Sequence, residues 1–183
     1  AAMLGVTPEN RDHYSVLTAP HIRTRYLADL ERDLADGVDQ TQLLAKHRRY
    51  SVQMLREAIL KACADAGVET SEIGHLSIST STGMLLPGLT AWLLKDESLG
   101  LPLHVGRQAI VGMGCHAGLN SMKSAATWAM SNPGKYALTC AVEVCSAHFV
   151  WGMKSQKRLG NVIVNALFGD GCSAAVLYSA PPG

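Results

Sequence analysis

The sequence predicts an α/β layered domain, and three observations carry that expectation. Tyr136 to Cys145 (YALTCAVEVC) is a nearly continuous apolar run, the composition of a parallel strand buried on both faces. Thr41 to Ala66 places Leu44, Val52, Leu55, Ile59, Ala62, Cys63 and Ala66 at helical period, so one face of a long helix is apolar. Strand-like and helix-like segments alternate along the chain, as in a sheet with helices on its faces.

Composition narrows the class. At 183 residues, 48 % hydrophobic and with a net charge of +1, the chain reads as a soluble globular protein large enough for one good core. No cluster of Lys and Arg alternates with aromatics, so no nucleic-acid partner is expected. The nearest candidate, Lys46-His47-Arg48-Arg49, reads as the solvated start of a helix. No apolar stretch approaches the roughly 20 residues that span a bilayer. No secretory leader is visible, and Ala1-Ala2-Met3 resembles a cut end more than a native start. The cysteines are Cys63, Cys115, Cys140, Cys145 and Cys172, an odd number without the two-residue spacing of a zinc or redox motif. Free thiols in a reducing cytoplasm, no metal, and a core role for all but Cys115 are the expectations.

The elements follow in order. Residues 1–40 form a weakly patterned helical or extended segment. Thr7-Pro8-Glu9-Asn10 has Pro at a first helical position, and His21 to Leu27 reads as an extended surface strand. The segment over 41–66 is one long helix, or two joined near His47, and ends at Gly67, a C-cap residue; Glu69-Thr70-Ser71-Glu72 is a loop. His75 to Thr82 (HLSISTST) alternates apolar with small polar residues and reads as a strand. Gly83-Met84-Leu85-Leu86-Pro87-Gly88 is a loop exposing large apolar residues, which mark an interface, a pocket wall or plain packing under the loop. Leu89 to Leu99 reads as a short helix. Ala109-Ile110-Val111 reads as a strand, and Asn132-Pro133-Gly134 as a turn. Glu143, the one charge in the run 136–145, needs a partner if buried. It reads as a paired structural acid, a site group being the alternative. Ser146 to Arg158 is irregular, Asn161 to Leu167 a helix, Cys172 to Tyr178 the last strand, and residues 180–183 the start of a linker.

Chemistry concentrates between Arg107 and Asn132. The apolar run over 109–111 ends in Gly112-Met113-Gly114, then Cys115, then Ala117, Met122, Ala125, Ala126 and Ala129 at helical spacing. A cysteine at the turn between strand and helix meets the unpaired N–H groups of a helix start, a setting that favours the nucleophilic thiolate. An acyl group can be carried covalently there.

Gly112-Met113-Gly114-Cys115-His116-Ala117-Gly118, the loop Ser79-Thr80-Ser81-Thr82-Gly83 with Leu86-Pro87-Gly88, and Asn165-Ala166-Leu167-Phe168-Gly169-Asp170-Gly171 stand in this order along the chain. Together they resemble the chalcone synthase-like, or type III, polyketide synthases of the thiolase superfamily, over about Arg23 to Tyr178. The resemblance implies a thiolase-like layered fold, with residues 41–179 as its N-terminal, nucleophile-bearing half. It implies that Cys115 takes an acyl group from coenzyme A and holds the growing chain as a thioester. Malonyl-CoA extends that chain by decarboxylative Claisen condensation, without metal or flavin. Phe168 matches the gatekeeper aromatic between the coenzyme A tunnel and the reaction chamber. Ser81 and Thr82 match chamber-lining positions, and Leu86 the residue that crosses a homodimer interface. Gly169-Asp170-Gly171 matches a structural turn. Coenzyme A-binding basic residues are not identified; Arg11, Arg23 and Arg25 are candidates only.

Within the family, the cysteine motif resembles the bacterial branch, and 3,5-dihydroxyphenylacetyl-CoA synthases in particular, with alkylresorcinol and alkylpyrone synthases as competitors. The resemblance also implies a catalytic His and Asn in a second half beyond Gly183. Neither His116 nor His148 is expected to replace them, and this stretch alone is expected to be inactive. Two other readings stand beside the enzyme: a non-catalytic half-fold that completes another chain, and a ketoacyl synthase III-like condensing enzyme, against which Phe168 argues.

Overall fold

The computed structural model describes residues 24–29, 39–148 and 167–181. Helix α1 spans Gln40–Ala66 as one unbroken rod. Its first turn is capped by the Asp39 carboxylate, which accepts the Thr41 N–H at 3.0 Å. It ends where Gly67 turns left-handed at φ 66°. Strands β1 (Ile73–Thr80), β2 (Gly106–Val111), β3 (Tyr136–Glu143) and β4 (Gly171–Tyr178) form one sheet in the order β2-β1-β3-β4. β1 runs parallel to β2 and to β3; β4 returns antiparallel beside β3. Helices α2 (Leu89–Lys95) and α3 (Ala117–Ser131) lie in the two crossovers.

The pleat sorts the faces. Leu76 and Ile78 of β1 with Leu138, Cys140 and Val142 of β3 meet Leu55, Ile59 and Cys63 of α1 in the main core. The opposite face carries small residues, and α3 packs there through Ala117, Ser121, Ala125 and Ala129, one residue per turn. Small side chains on both surfaces let helix and sheet approach closely. Ser121 Oγ lies 2.9 Å from both Ser77 Oγ and Thr139 Oγ1, so these buried hydroxyls satisfy one another. The outward face of α3 leaves Leu119 and Met130 more than 70 % exposed.

Several expectations are corrected. His47 is wholly buried, not solvated. It begins an i, i+4 stripe with Ser51, Leu55, Ile59 and Cys63 that the sheet covers. Thr70–Glu72 forms a 3-10 turn closed by a capping box rather than a loop. The strand expected over 75–82 ends at Thr80, and the helix expected over 89–99 breaks at Asp96, giving a 3-10 turn at Glu97–Leu99. Thr24–Leu27 carries no strand. Of the four expected core cysteines, Cys63 and Cys140 are buried whereas Cys145 and Cys172 are half-buried. The expected features at 7–10, and the helix over 161–167 apart from Leu167, lie outside the described residues. Among the described residues no helix is long and apolar enough to cross a membrane, and no three metal-ligating side chains gather.

Candidate active site

The parallel strands β1, β2 and β3 deliver their C-terminal ends to one edge of the sheet, the edge where open α/β sheets place their sites. β2 ends at Val111 and gives way to a turn in which Gly112 and Gly114 both adopt left-handed conformations, φ 75° and 74°. Among the described residues neither glycine has a neighbour that a Cβ would strike, and the left-handed backbone itself demands glycine there. Cys115 sits next, exposed, in a 3-10 turn (Gly114–His116) that runs straight into α3. The thiol thus stands at the helix start the sequence implied. His116 is exposed.

β1 ends beside this turn. The Gly112 N–H continues the ladder to the Thr80 carbonyl at 3.0 Å. One residue on, the Ser81 hydroxyl accepts the Gly114 N–H at 2.9 Å. Glu143, the last residue of β3, receives this segment. Its carboxylate accepts the Ser81 N–H at 2.8 and 3.0 Å and the Thr82 hydroxyl at 2.7 Å. Glu143 is half-buried, and the partner of its carboxylate is the start of the loop after β1. Thr82 Oγ1 also accepts the Val144 N–H at 2.8 Å, and the Thr82 carbonyl accepts His148 Nε2–H at 2.6 Å. A carbonyl only accepts, so His148 carries its proton on Nε2 here.

His47 lies behind the same loop. Its Nδ1 is 3.4 Å from both Thr82 Oγ1 and Ser51 Oγ. Burial, and secondarily the neighbouring His148, lower its pKa to about 4, so the imidazole is neutral. Sequence reasoning missed this residue, although the stripe of α1, extended one turn back from Ser51, points to it. Cys145 follows Val144 toward the same edge. Burial first, then Glu143, Asp170 and Cys115, push its thiol up to about 11, which keeps it protonated and a poor nucleophile.

Asp170 ties the far side together. Its carboxylate accepts the Ala28 N–H at 2.6 Å and the Ser146 N–H at 2.7 Å, while its own N–H donates to the Tyr26 carbonyl at 2.7 Å. This fixes residues 26–28 and the turn after β3 to the start of β4. Phe168 stands two residues earlier, 37 % exposed, and Leu86 projects from its loop, 90 % exposed. Ser81 and Thr82 are thus brought to the Cys115 turn by hydrogen bonds, whereas Leu86 and Phe168 stand outside that network. Arg25 is half-buried; Arg11 and Arg23 lie outside the described residues.

The chain is similar to known proteins in both sequence and fold. A model of the chalcone and stilbene synthase N-terminal domain matches residues 11–181. A 3,5-dihydroxyphenylacetyl-CoA synthase of Streptomyces toyocaensis is 42 % identical over 144 residues, covering 79 % of this chain and 35 % of the relative. The alpha-pyrone synthesis polyketide synthase-like Pks18 of Mycobacterium tuberculosis is 31 % identical, over 80 % of this chain and 35 % of its own length. The crystal structure of PKS-I from the brown alga Ectocarpus siliculosus superposes with a TM-score of 0.70 at 34 % identity, over 87 % of this chain and 40 % of that one. The chain therefore spans about a third of the length of the curated relatives it matches.

Proposed function

The chain belongs to the chalcone and stilbene synthase family of type III polyketide synthases, matching its N-terminal domain, and on that premise we propose that Cys115 is the thiol that carries the acyl chain. The observation that carries this reading is the placement of Cys115. It is an exposed thiol at a helix start, delivered by a two-glycine turn to the edge where β1, β2 and β3 end.

The chemistry follows from that thiol. The Cys115 thiolate attacks the carbonyl carbon of an acyl-CoA; the carbon–sulfur bond to coenzyme A breaks, and coenzyme A leaves as its thiolate and takes a proton. Malonyl-CoA loses carbon dioxide to give the enolate of acetyl-CoA. Its carbon attacks the Cys115 thioester, a carbon–carbon bond forms, and the Cys115 thiolate is released for the next transfer. Enolate and tetrahedral oxyanions need preorganised donors. In this reading a His and an Asn supply them from the part of the fold that accounts for the rest of the relatives' length. The outward face of α3, with exposed Leu119, Met122 and Met130, is the apolar surface on which that part packs.

Phe168 is placed here as the gate between coenzyme A tunnel and chamber, Thr82 as a chamber wall, and Leu86, projecting and apolar, as the residue offered across a homodimer interface. Identity of 42 % to a 3,5-dihydroxyphenylacetyl-CoA synthase favours an aromatic product assembled from malonyl units over a long-chain pyrone. The test is product analysis of the full-length protein supplied with malonyl-CoA alone and with a panel of acyl-CoA starters. An aromatic product from malonyl-CoA alone, lost in Cys115→Ala, is the expected result. A product made only with long acyl starters would move the substrate class to alkylresorcinols or pyrones.

A further inference from the structure

We propose that Ser81 and Glu143 are positioning residues for the nucleophile: Glu143 fixes the segment after β1, and the Ser81 hydroxyl holds the turn that presents Cys115. This rests on the reading of Cys115 as the acyl-carrying thiol.

The hydrogen bonds run from the Glu143 carboxylate to the residue just before the thiol. Glu143 closes β3 and accepts the Ser81 N–H with both oxygens, at 2.8 and 3.0 Å, and the Thr82 hydroxyl at 2.7 Å. An ionised carboxylate only accepts, so the Thr82 proton points to Glu143 and the Thr82 lone pairs are left for the Val144 N–H. Ser81 is thereby clamped at the end of β1, and its hydroxyl reaches the chain leaving β2, accepting the Gly114 N–H at 2.9 Å. Together with the Gly112 N–H on the Thr80 carbonyl, the turn has two anchors on β1.

Those anchors sit where the chain is freest. Gly112 and Gly114 both occupy φ values open to glycine, and among the described residues nothing lies within 4 Å of either notional Cβ to limit them. Cys115 is the residue after Gly114, so rotation at 114 sweeps the thiol away from an incoming carbonyl. Displacements of about 1 Å at a reacting centre cost on the order of a hundredfold in rate. A hydroxyl acceptor at 81, itself oriented by Glu143, is what this chain supplies against that rotation. A chamber wall at 81 would need only bulk; the bond to Gly114 needs an oxygen.

The experiment uses the full-length protein and the variants Ser81→Ala, Ser81→Thr and Glu143→Gln, with thermal unfolding as the check on folding. Ser81 is exposed, so its variants are expected to fold and the pair decides the question even if Glu143→Gln does not. The rate at which iodoacetamide alkylates Cys115 is followed by peptide mass across pH, and kcat and KM are measured for several starters. Ser81→Ala and Glu143→Gln are expected to change the Cys115 alkylation rate and its pH profile. They should lower kcat about tenfold or more for every starter while KM stays within about twofold; Ser81→Thr should restore both. An alkylation profile in Ser81→Ala identical to the parent's, with only starter preference altered, would overturn the proposal and return Ser81 to the chamber wall. If the parent protein alkylates at Cys115 but never carries an acyl group, the acyl-carrying reading fails, and the alkylation comparison still decides the positioning role.

Discussion

The imidazole of His47 lies directly against the backbone of Gly83: a Cβ at position 83 would come within 2.3 Å of the ring. The ring cannot yield, because His47 is fully buried between α1 and the loop that carries Thr82. Gly83 is therefore required for space. Gly83→Ala is expected to overpack this contact and destabilise the protein by about 1–3 kcal/mol. Differential scanning calorimetry checks it, at roughly 2–4 °C of Tm per kcal/mol for a chain of this size. An unchanged Tm would show that the loop moves freely off His47.

Acid should unfold the protein through the same residue. His47 titrates at about 4 in the folded chain, below the unfolded value of 6.5, so the unfolded state binds the proton more readily between those values. Stability is complete above pH 6.5 and falls as pH drops toward 4, by about 2 kcal/mol at pH 5 from this group. His75, also lowered by burial, acts in the same direction. Urea unfolding at pH 7 and pH 5 measures the loss, and His47→Gln should flatten the larger part of it. An equal pH dependence in parent and variant would contradict the assignment.

Asp170 is expected to act at a distance from the chemistry. Its carboxylate accepts the N–H groups of Ala28 and Ser146. Asp170→Ala leaves both without that charged acceptor, a loss of about 1.5–3 kcal/mol for each bond of this kind if water does not replace it. Hydrogen exchange at Ala28 and Ser146 should rise together in the variant. Exchange that rises at only one of them would mean the two segments are held separately.

The glycines before Cys115 are predicted to matter for conformation rather than space. Gly112→Ala and Gly114→Ala place a side chain at φ near 75°, costing about 1–2 kcal/mol each, with Asn tolerated better than Ala. Thermal unfolding of the four variants gives the ranking. Equal losses for Ala and Asn would point to a steric cause instead.

The parts of this site that were legible in the sequence are those encoded locally. A strand, two glycines and a cysteine before a helix form one short motif, and the structure places them in that order at the sheet edge. The apolar run over 136–145 likewise gave a strand parallel to β1 and buried on both faces. The hydrogen-bond network was not legible, because Ser81 and Glu143 are 62 positions apart and meet only through the parallel pairing of β1 with β3. The partner of Glu143 could be demanded from the sequence but not named. His47 was misread because two exposed arginines follow it, and composition over four residues hid an i, i+4 stripe of one helix face.

The proposed role of Cys115 as the thiol that carries the acyl chain is open to direct chemical detection. Intact-mass spectrometry of the full-length protein, incubated with malonyl-CoA and acyl-CoA starters and quenched before turnover completes, tests it most directly. An acyl adduct that maps to the Cys115 peptide and disappears in Cys115→Ala is the expected result. An adduct on another residue, or one that survives in Cys115→Ala, would contradict it.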